Sequence, residues 1–155
     1  MSVGPRPGRA MTKEIEMTTH ALTTTTAPVL VTTNGGLFKS KFRMHLGRFE
    51  LTHDRIVYYQ KSFFFMMFGA LGLLLSRYSP GKRTLDIELS RIASLARGKH
   101  GFNKNILDLT LTDGSTHRLS LDRYDDFTAQ LRDQLSRRAP LTATGDDKWA
   151  VRPSA

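Results

Sequence analysis

The 155-residue sequence contains no cysteine, and its 14 acidic residues are outnumbered by 23 lysines and arginines. Without cysteine the chain has no disulfide, no thiol nucleophile and no cysteine metal site. The five histidines show no zinc-type spacing, and neither a Walker loop nor a G-x-G-x-x-G motif is present. We therefore expect a protein without catalytic residues, metal or cofactor, that is, not an enzyme. The absence of cysteine also fits a reducing compartment such as the cytoplasm.

The excess of basic residues gives a formal net charge of +9. Such a charge favours an anionic partner, which can be nucleic acid or a membrane surface, or it serves solubility alone. Seven of the nine excess charges lie between residues 28 and 83. The basic residues are not interleaved with aromatic residues on a strand face, as single-strand nucleic-acid platforms require, so a nucleic-acid partner is disfavoured.

Composition divides the chain into one domain and two tails. Residues 1–27 are rich in Pro, Gly and Thr and predict a flexible N-terminal tail. Residues 139–155 carry two prolines and small polar residues and predict a flexible C-terminal tail. Trp149 lies in this second tail, where we interpret it as a stray residue rather than a docking anchor. The folded domain is expected over 28–138, with an apolar insertion at 62–80.

Period-two alternation predicts strands through most of this domain. The first extended segment has an apolar face, formed by Phe38, Phe42 and Met44. Its other face is basic and consists of Lys39, Lys41 and Arg43. The β-branched and aromatic residues of 55–60 predict another strand. Further alternation at 85–89 and 107–111 predicts two more, and Asp113-Gly114 supplies the turn of a hairpin.

The last element has helical periodicity. Apolar residues at spacings of three and four predict one buried helix face, and they are Tyr124, Phe127, Leu131 and Leu135. Asp122 is the expected N-cap of this helix. The sequence thus predicts a mainly β fold with short antiparallel strands and one closing amphipathic helix.

Three segments carry a resemblance to a known fold. Residues 47–58 (GRFELTHDRIVY) resemble the hairpin of the GRAM and bacterial pleckstrin-homology-like domains, within the pleckstrin-homology superfold. Residues 87–95 (IELSRIASL) and 107–114 (LDLTLTDG) are similar to two further strands of that family. The resemblance covers residues 28–138. It implies a small, partly open barrel plugged by the helix, which acts as a lipid- or protein-binding module without catalysis.

An apolar run interrupts the predicted barrel. Residues 63–75 contain no polar side chain, and only 15 residues, 62–76, separate the flanking charges of Lys61 and Arg77. As a helix these residues would span about 22 Å, which is shorter than the ~30 Å hydrocarbon core of a bilayer. A single crossing would also leave two strands of one barrel on opposite sides of the membrane. A normal transmembrane span is therefore disfavoured.

The run still contains ten large apolar side chains that favour burial. Burying all of them would contribute at most roughly 15–30 kcal/mol of free energy. We expect one of two main destinations: shallow insertion into a membrane leaflet, or packing onto the barrel, a partner protein or a second copy. The expected membrane-contacting residues are Phe63, Phe64, Phe65, Met66, Met67, Phe68, Leu71, Leu73, Leu74 and Leu75.

Basic residues surround this run and are suited to anionic headgroups. The expected headgroup contacts are Lys61, Arg77, Lys82, Arg83, Lys39, Lys41 and Arg43. We therefore predict a non-catalytic module that associates peripherally with an anionic membrane surface in the cytoplasm. The alternative is a protein-interaction or homo-oligomerisation module in which a partner covers the insertion.

Overall fold

A computed structural model describes residues 27–61, 69–71 and 81–152 of the chain. These residues form one antiparallel sheet of nine strands, a short 3-10 helix and one α-helix. The strands are β1 (Val29–Ser40), β2 (Arg43–Thr52), β3 (Arg55–Gln60), β4 (Lys82–Glu88), β5 (Ile92–His100), β6 (Asn103–Leu111), β7 (Thr116–Leu121), β8 (Leu141–Gly145) and β9 (Lys148–Val151). The 3-10 helix is Leu89–Arg91, and helix α1 is Tyr124–Ser136.

The sheet is open, with the strand order β4-β3-β2-β1-β7-β6-β5-β9-β8. Consecutive strands pair as antiparallel neighbours from β1 to β4 and from β5 to β7, whereas β4 and β5 do not pair. Strand β1 joins the two halves by pairing with both β2 and β7. Apolar residues of both halves pack into a single cluster, so the sheet folds over on itself around a common core. The predicted mainly β, partly open architecture is confirmed.

Helix α1 covers the inner face of the sheet, as its periodicity predicts. Tyr124, Phe127, Leu131 and Leu135 are all buried in the core cluster. The ring of Phe127 meets the ring of Phe49 edge-on, with 6.5 Å between centroids. Burying such side chains contributes about 1.5–3 kcal/mol each. An antiparallel sheet closed by a core-packed helix agrees with the mainly β fold and closing amphipathic helix that the sequence predicts.

The prediction of Asp122 as the helix N-cap is wrong. Helix α1 begins at Tyr124, and Arg123 occupies the cap position without a side-chain capping bond. The chain is instead fixed to β1, because the Arg123 N–H donates to Thr33 Oγ1 at 3.0 Å and the Asp122 N–H donates to the Asn34 carbonyl. Backbone tethering to the sheet therefore replaces the local cap at this helix start.

The turn between β2 and β3 has the structural role that its residue types predict. The Arg55 N–H donates to Thr52 Oγ1, and the Thr52 hydroxyl lies 2.8 Å from Asp54 Oδ1. The Arg55 guanidinium also donates to Asp54 Oδ2 at 3.0 Å. Hydrogen bonds from Arg55 and then Thr52 lower the pKa of Asp54 below its usual value.

The prediction of one continuous strand through residues 38–44 is wrong. The chain reverses at residues 41 and 42, so Phe38 lies on β1 and Met44 lies opposite it on β2. Phe42 lies in the turn and is 90% exposed. A two-residue turn alone would reverse the alternation, because it pairs Ser40 with Arg43. The register shift between Phe38 and Ser40 restores it, so Phe38 and Met44 share a face and the pattern reads equally well as a single strand.

The prediction of a loose C-terminal tail over 139–155 is wrong for residues 141–151. These residues form the β8–β9 hairpin, and β9 pairs with β5 through Leu95 and Trp149. Trp149 is partly buried against the core, and the Arg132 guanidinium lies 4.5 Å from its ring centroid. Trp149 is thus a packing residue of the domain. The hairpin covers an edge of the sheet that would otherwise expose unpaired backbone groups.

Replacing Trp149 tests whether this hairpin is an integral part of the domain. Because Trp149→Ala removes the ring that packs on the core and beneath Arg132, we expect the free energy of unfolding to fall by about 1–3 kcal/mol. Urea unfolding measures the change, with Lys148→Ala on the exposed side of the same strand as the control. Equal stabilities of the two variants would contradict an integral hairpin.

The turn of Asp54 predicts a pH dependence of stability. The pKa of Asp54 is lower in the native protein than in the unfolded chain, where it is about 4. The ionised carboxylate therefore stabilises the fold fully above pH ~4, and this stabilisation is lost as the pH falls through the native pKa. Asp54→Asn should therefore lower the free energy of unfolding at pH 7 and make its decline below pH 4 shallower. Urea titrations across this range measure both effects. Asp146→Asn, in the exposed β8–β9 turn, serves as the control, and identical pH profiles would contradict the assignment.

Candidate functional site

Large apolar side chains are exposed at one end of the molecule. Among the described residues, six such side chains are exposed: Val29, Phe42, Met44, Leu46, Leu71 and Phe102. Three of them belong to the β1–β2 tip, one to the insertion and one to the β5–β6 tip, whereas Val29 lies at the other end of β1, opposite Thr52. Single exposed apolar residues are common on protein surfaces, but a contiguous group marks an interaction surface.

The β1–β2 hairpin carries its exposed residues on the outer face of the sheet. Cross-strand pairs share a face, and the pairing of Leu37 with His45 and of Thr33 with Phe49 defines the inner one. Met44 pairs with Phe38 and Leu46 pairs with Gly36 on the opposite face. The outer face of this tip is therefore apolar, whereas outer faces elsewhere are commonly polar.

The insertion leaves and re-enters the sheet beside this tip. The Lys61 N–H donates to the Leu46 carbonyl at 3.1 Å, and Gln60 pairs with both Gly47 and Lys82. Strand β2 thus extends beyond β3 and β4 by the residues from Arg43 to Leu46. The described residues that flank the insertion, Lys61 and Lys82, consequently lie near the exposed Leu46.

Buried hydrogen bonds hold the base of this extension. The Tyr58 hydroxyl donates to the His45 carbonyl at 2.5 Å, and the Gln60 amide lies 2.8 Å from His45 Nδ1. Burial raises the pKa of Tyr58 to about 12, so the hydroxyl keeps its proton and donates throughout the physiological range. The extension of β2 is therefore anchored to β3 at His45.

The β5–β6 tip lies against the β1–β2 hairpin. The rings of Phe38 and His100 are in contact, with 4.9 Å between their centroids. The Asn103 amide donates to Ser120 Oγ at 3.0 Å, which fixes the start of β6 over β7. Phe102, in the turn between the two strands, is fully exposed. The two hairpin tips and the base of the insertion therefore form one continuous surface.

Unpaired lysines gather on this surface. Among the described residues every salt bridge uses an arginine, and none uses a lysine. Six of the seven described lysines lie at this end, and the seventh is Lys148. We call the following set the basic end: Lys39, Lys41 and Arg43 of the β1–β2 tip, Lys61, Lys82 and Arg83 at the base of the insertion, and Lys99 and Lys104 of the β5–β6 tip.

The predicted contact residues are only partly within the described chain. Lys39, Lys41, Arg43, Lys61, Lys82 and Arg83 are described and exposed, and Arg83 forms an ion pair with Asp86. Leu71 is also described and exposed. The remaining predicted residues lie outside the described residues: Phe63, Phe64, Phe65, Met66, Met67, Phe68, Leu73, Leu74, Leu75 and Arg77.

Sequence reasoning missed the β5–β6 tip. In the sequence, Gly98-Lys99-His100-Gly101 indicates only a turn, and no pattern assigns a role to Phe102. The sequence nevertheless contains an indication of exposure. Phe102 directly follows the turn residue Gly101 and lies between Lys99 and Lys104, which is not the context of a core position. Gly101 has φ +57°, which identifies the tight turn. Phe42 was wrongly assigned to a strand face because period-two alternation continues through the β1–β2 turn.

No described helix is long and apolar enough to cross a membrane. The described part of the chain also contains no cluster of three or more histidine and acidic residues that would suit a metal ion.

Comparison with known proteins shows the fold alone. No family model matches the chain, and no curated protein sequence matches it. One similar structure is the C-terminal domain of an unknown protein from Leishmania infantum, with a TM-score of 0.51 and 13% identity over 69% of this chain and 83% of that one. Another is the Slm1 pleckstrin-homology domain in complex with phosphoserine, with a TM-score of 0.46 and 11% identity over 68% of this chain and 91% of that one.

The first similarity supports the mainly β fold of antiparallel strands and one helix near the C-terminus. The TM-score of the second is too low for an argument about this chain. The narrower resemblance to GRAM and bacterial pleckstrin-homology-like domains stays a prediction.

Proposed function

We propose that this domain is a non-catalytic module that binds an anionic membrane surface from the cytoplasmic side. The membrane contact consists of the insertion and the basic end. The observation that carries the proposal is the coincidence, at one end of the molecule, of exposed apolar side chains with lysines that have no acidic partner among the described residues.

The two kinds of residue have complementary roles at a lipid surface. Apolar side chains such as Phe42 and Leu46 gain free energy when they enter the boundary between headgroups and acyl chains. Lysines near the surface contribute about 1 kcal/mol each through attraction to anionic lipids. Residues 39–49 and 97–107 contain no acidic residue, so nothing at either tip opposes this attraction.

The insertion adds the largest apolar contribution. Its sequence offers four Phe, two Met and four Leu side chains, and its ends leave the sheet at Lys61 and return before Lys82, next to Leu46. In this proposal the apolar run and the exposed apolar residues of the β1–β2 tip enter the same leaflet. Its shortness relative to the bilayer core favours shallow insertion over spanning.

A partner protein or a second copy is the competing occupant of this surface. A partner that covered only apolar residues would not require the excess of lysines, so their accumulation favours the anionic membrane. Light scattering without detergent separates the two possibilities for self-association. A monomer at all concentrations agrees with membrane binding, and a stable dimer that does not bind vesicles would contradict it.

Deleting residues 62–78 tests the role of the insertion. With a short Gly-Ser linker in their place, we expect the affinity for vesicles of phosphatidylserine and phosphatidylcholine to fall more than tenfold, because the largest apolar contact is removed. Co-sedimentation measures the affinity, and circular dichroism checks that the sheet is retained. Equal binding of the intact chain and the deletion variant would contradict the proposal.

The basic end is tested in the same assay. Replacing Lys39, Lys41 and Arg43 together with Ser should weaken binding by roughly 100-fold, since each charge contributes about 1 kcal/mol. Lys148→Ser, which removes a lysine remote from this end, is the matched control and should bind like the intact chain. If the intact chain bound pure phosphatidylcholine vesicles as tightly as vesicles that contain phosphatidylserine, the electrostatic contribution would be contradicted.

A further inference from the structure

The β5–β6 tip presents the most exposed large apolar side chain of the described residues. Phe102 is fully exposed, and apart from the adjacent residues no atom lies within 4 Å of the position where a side chain of the preceding Gly101 would begin. A folded domain gains nothing from a phenylalanine in water, whereas burial of the ring is worth about 1.5–3 kcal/mol. The position thus favours a contact that forms outside this chain.

Charges around Phe102 point to an anionic occupant. Lys99 and Lys104 flank the turn, and the nearest acidic residue along the chain, Asp108, is held in an ion pair with Arg118 at 2.7 Å. A free positive charge on each side of an exposed ring matches the interface of an anionic leaflet. There the ring meets acyl chains and the lysines meet phosphates.

The tip is also held firmly in place. His100 contacts Phe38, the Asn103 amide donates to Ser120, and the Asn105 N–H donates to Asn103 Oδ1 at 2.8 Å. These contacts fix both strands immediately before and after the turn. Phe102 is therefore presented by a preorganised hairpin, which reduces the entropy cost of binding.

Phe42 and Phe102 are close enough to contact the same lipid surface. Phe42 is four residues from Phe38, so their Cα atoms are at most about 14 Å apart. Phe102 is two residues from His100, so their Cα atoms are at most about 7 Å apart. The rings of Phe38 and His100 are in contact with each other. The contact between Phe38 and His100 thus keeps the two tips side by side.

We propose that the β5–β6 tip is a second lipid contact, in which Phe102 enters the same anionic leaflet as the β1–β2 tip. Lys99 and Lys104 bind the adjacent headgroup phosphates. This inference rests on the proposed membrane function and adds a site to it. Two anchors on separate hairpins fix the orientation of the domain on the bilayer, whereas a single anchor would leave it free to tilt.

Because the chain has no cysteine, single-cysteine labelling tests the proposal directly. Phe102→Cys carrying the polarity-sensitive dye NBD should shift to the blue on vesicles of phosphatidylserine and phosphatidylcholine, and brominated acyl chains should quench it. The same label at Thr112→Cys, on the β6–β7 turn at the opposite end of β6, should do neither. Phe102→Ser in the unlabelled chain should weaken co-sedimentation roughly tenfold without lowering thermal stability.

The outcomes separate this inference from the proposed function. If the intact chain binds vesicles but the label at position 102 stays in water, and Phe102→Ser binds normally, the second contact is refuted and membrane binding stands. If the intact chain fails to bind, both proposals fall. A blue shift that needs no vesicles and grows with protein concentration would place Phe102 in a second copy and overturn the lipid contact.

Discussion

The contact between helix α1 and the inner face of the sheet is the interaction on which the architecture depends. Phe127 meets Phe49 edge-on, and Phe49 in turn packs against Tyr58 with 4.5 Å between ring centroids. An open sheet exposes one apolar face unless another element covers it, and the helix supplies that cover. The β8–β9 hairpin completes the cover by pairing with β5 and packing Trp149 against the same core.

A core closed in this way determines where interaction surfaces can form. The hairpin tips extend beyond the strands that the helix covers, so their side chains cannot reach the core. At one end these tips carry lysines and exposed apolar residues, including Phe42 and Phe102. Most of the described arginines elsewhere are paired with acidic neighbours, as Arg118 is with Asp108. Unpaired positive charge therefore accumulates at the same end as exposed apolar surface, which is the combination that supports an anionic leaflet as the partner.

Sequence patterns predicted the elements whose periodicity coincides with burial. The helix face from Tyr124 to Leu135 and the alternation of Leu107, Leu109 and Leu111 were correct because each of these apolar positions lies in the core cluster. Patterns failed where alternation has another cause, as in residues 38–44, where a turn and the register shift beside it together keep Phe38 and Met44 on one face. The β8–β9 hairpin escaped notice because its strands are short and their burial depends on tertiary pairing with β5. Phe102 was missed because an exposed aromatic residue has no periodic signature.

Amide hydrogen exchange of the intact chain, with and without vesicles of phosphatidylserine and phosphatidylcholine, tests the central claim most directly. The account predicts slower exchange on vesicles in residues 38–46, 61–83 and 99–104, with no change in the β6–β7 turn at 112–115 or in helix α1. Protection confined to the β6–β7 turn or the helix, or no protection in the three predicted segments when the protein is bound, would contradict it.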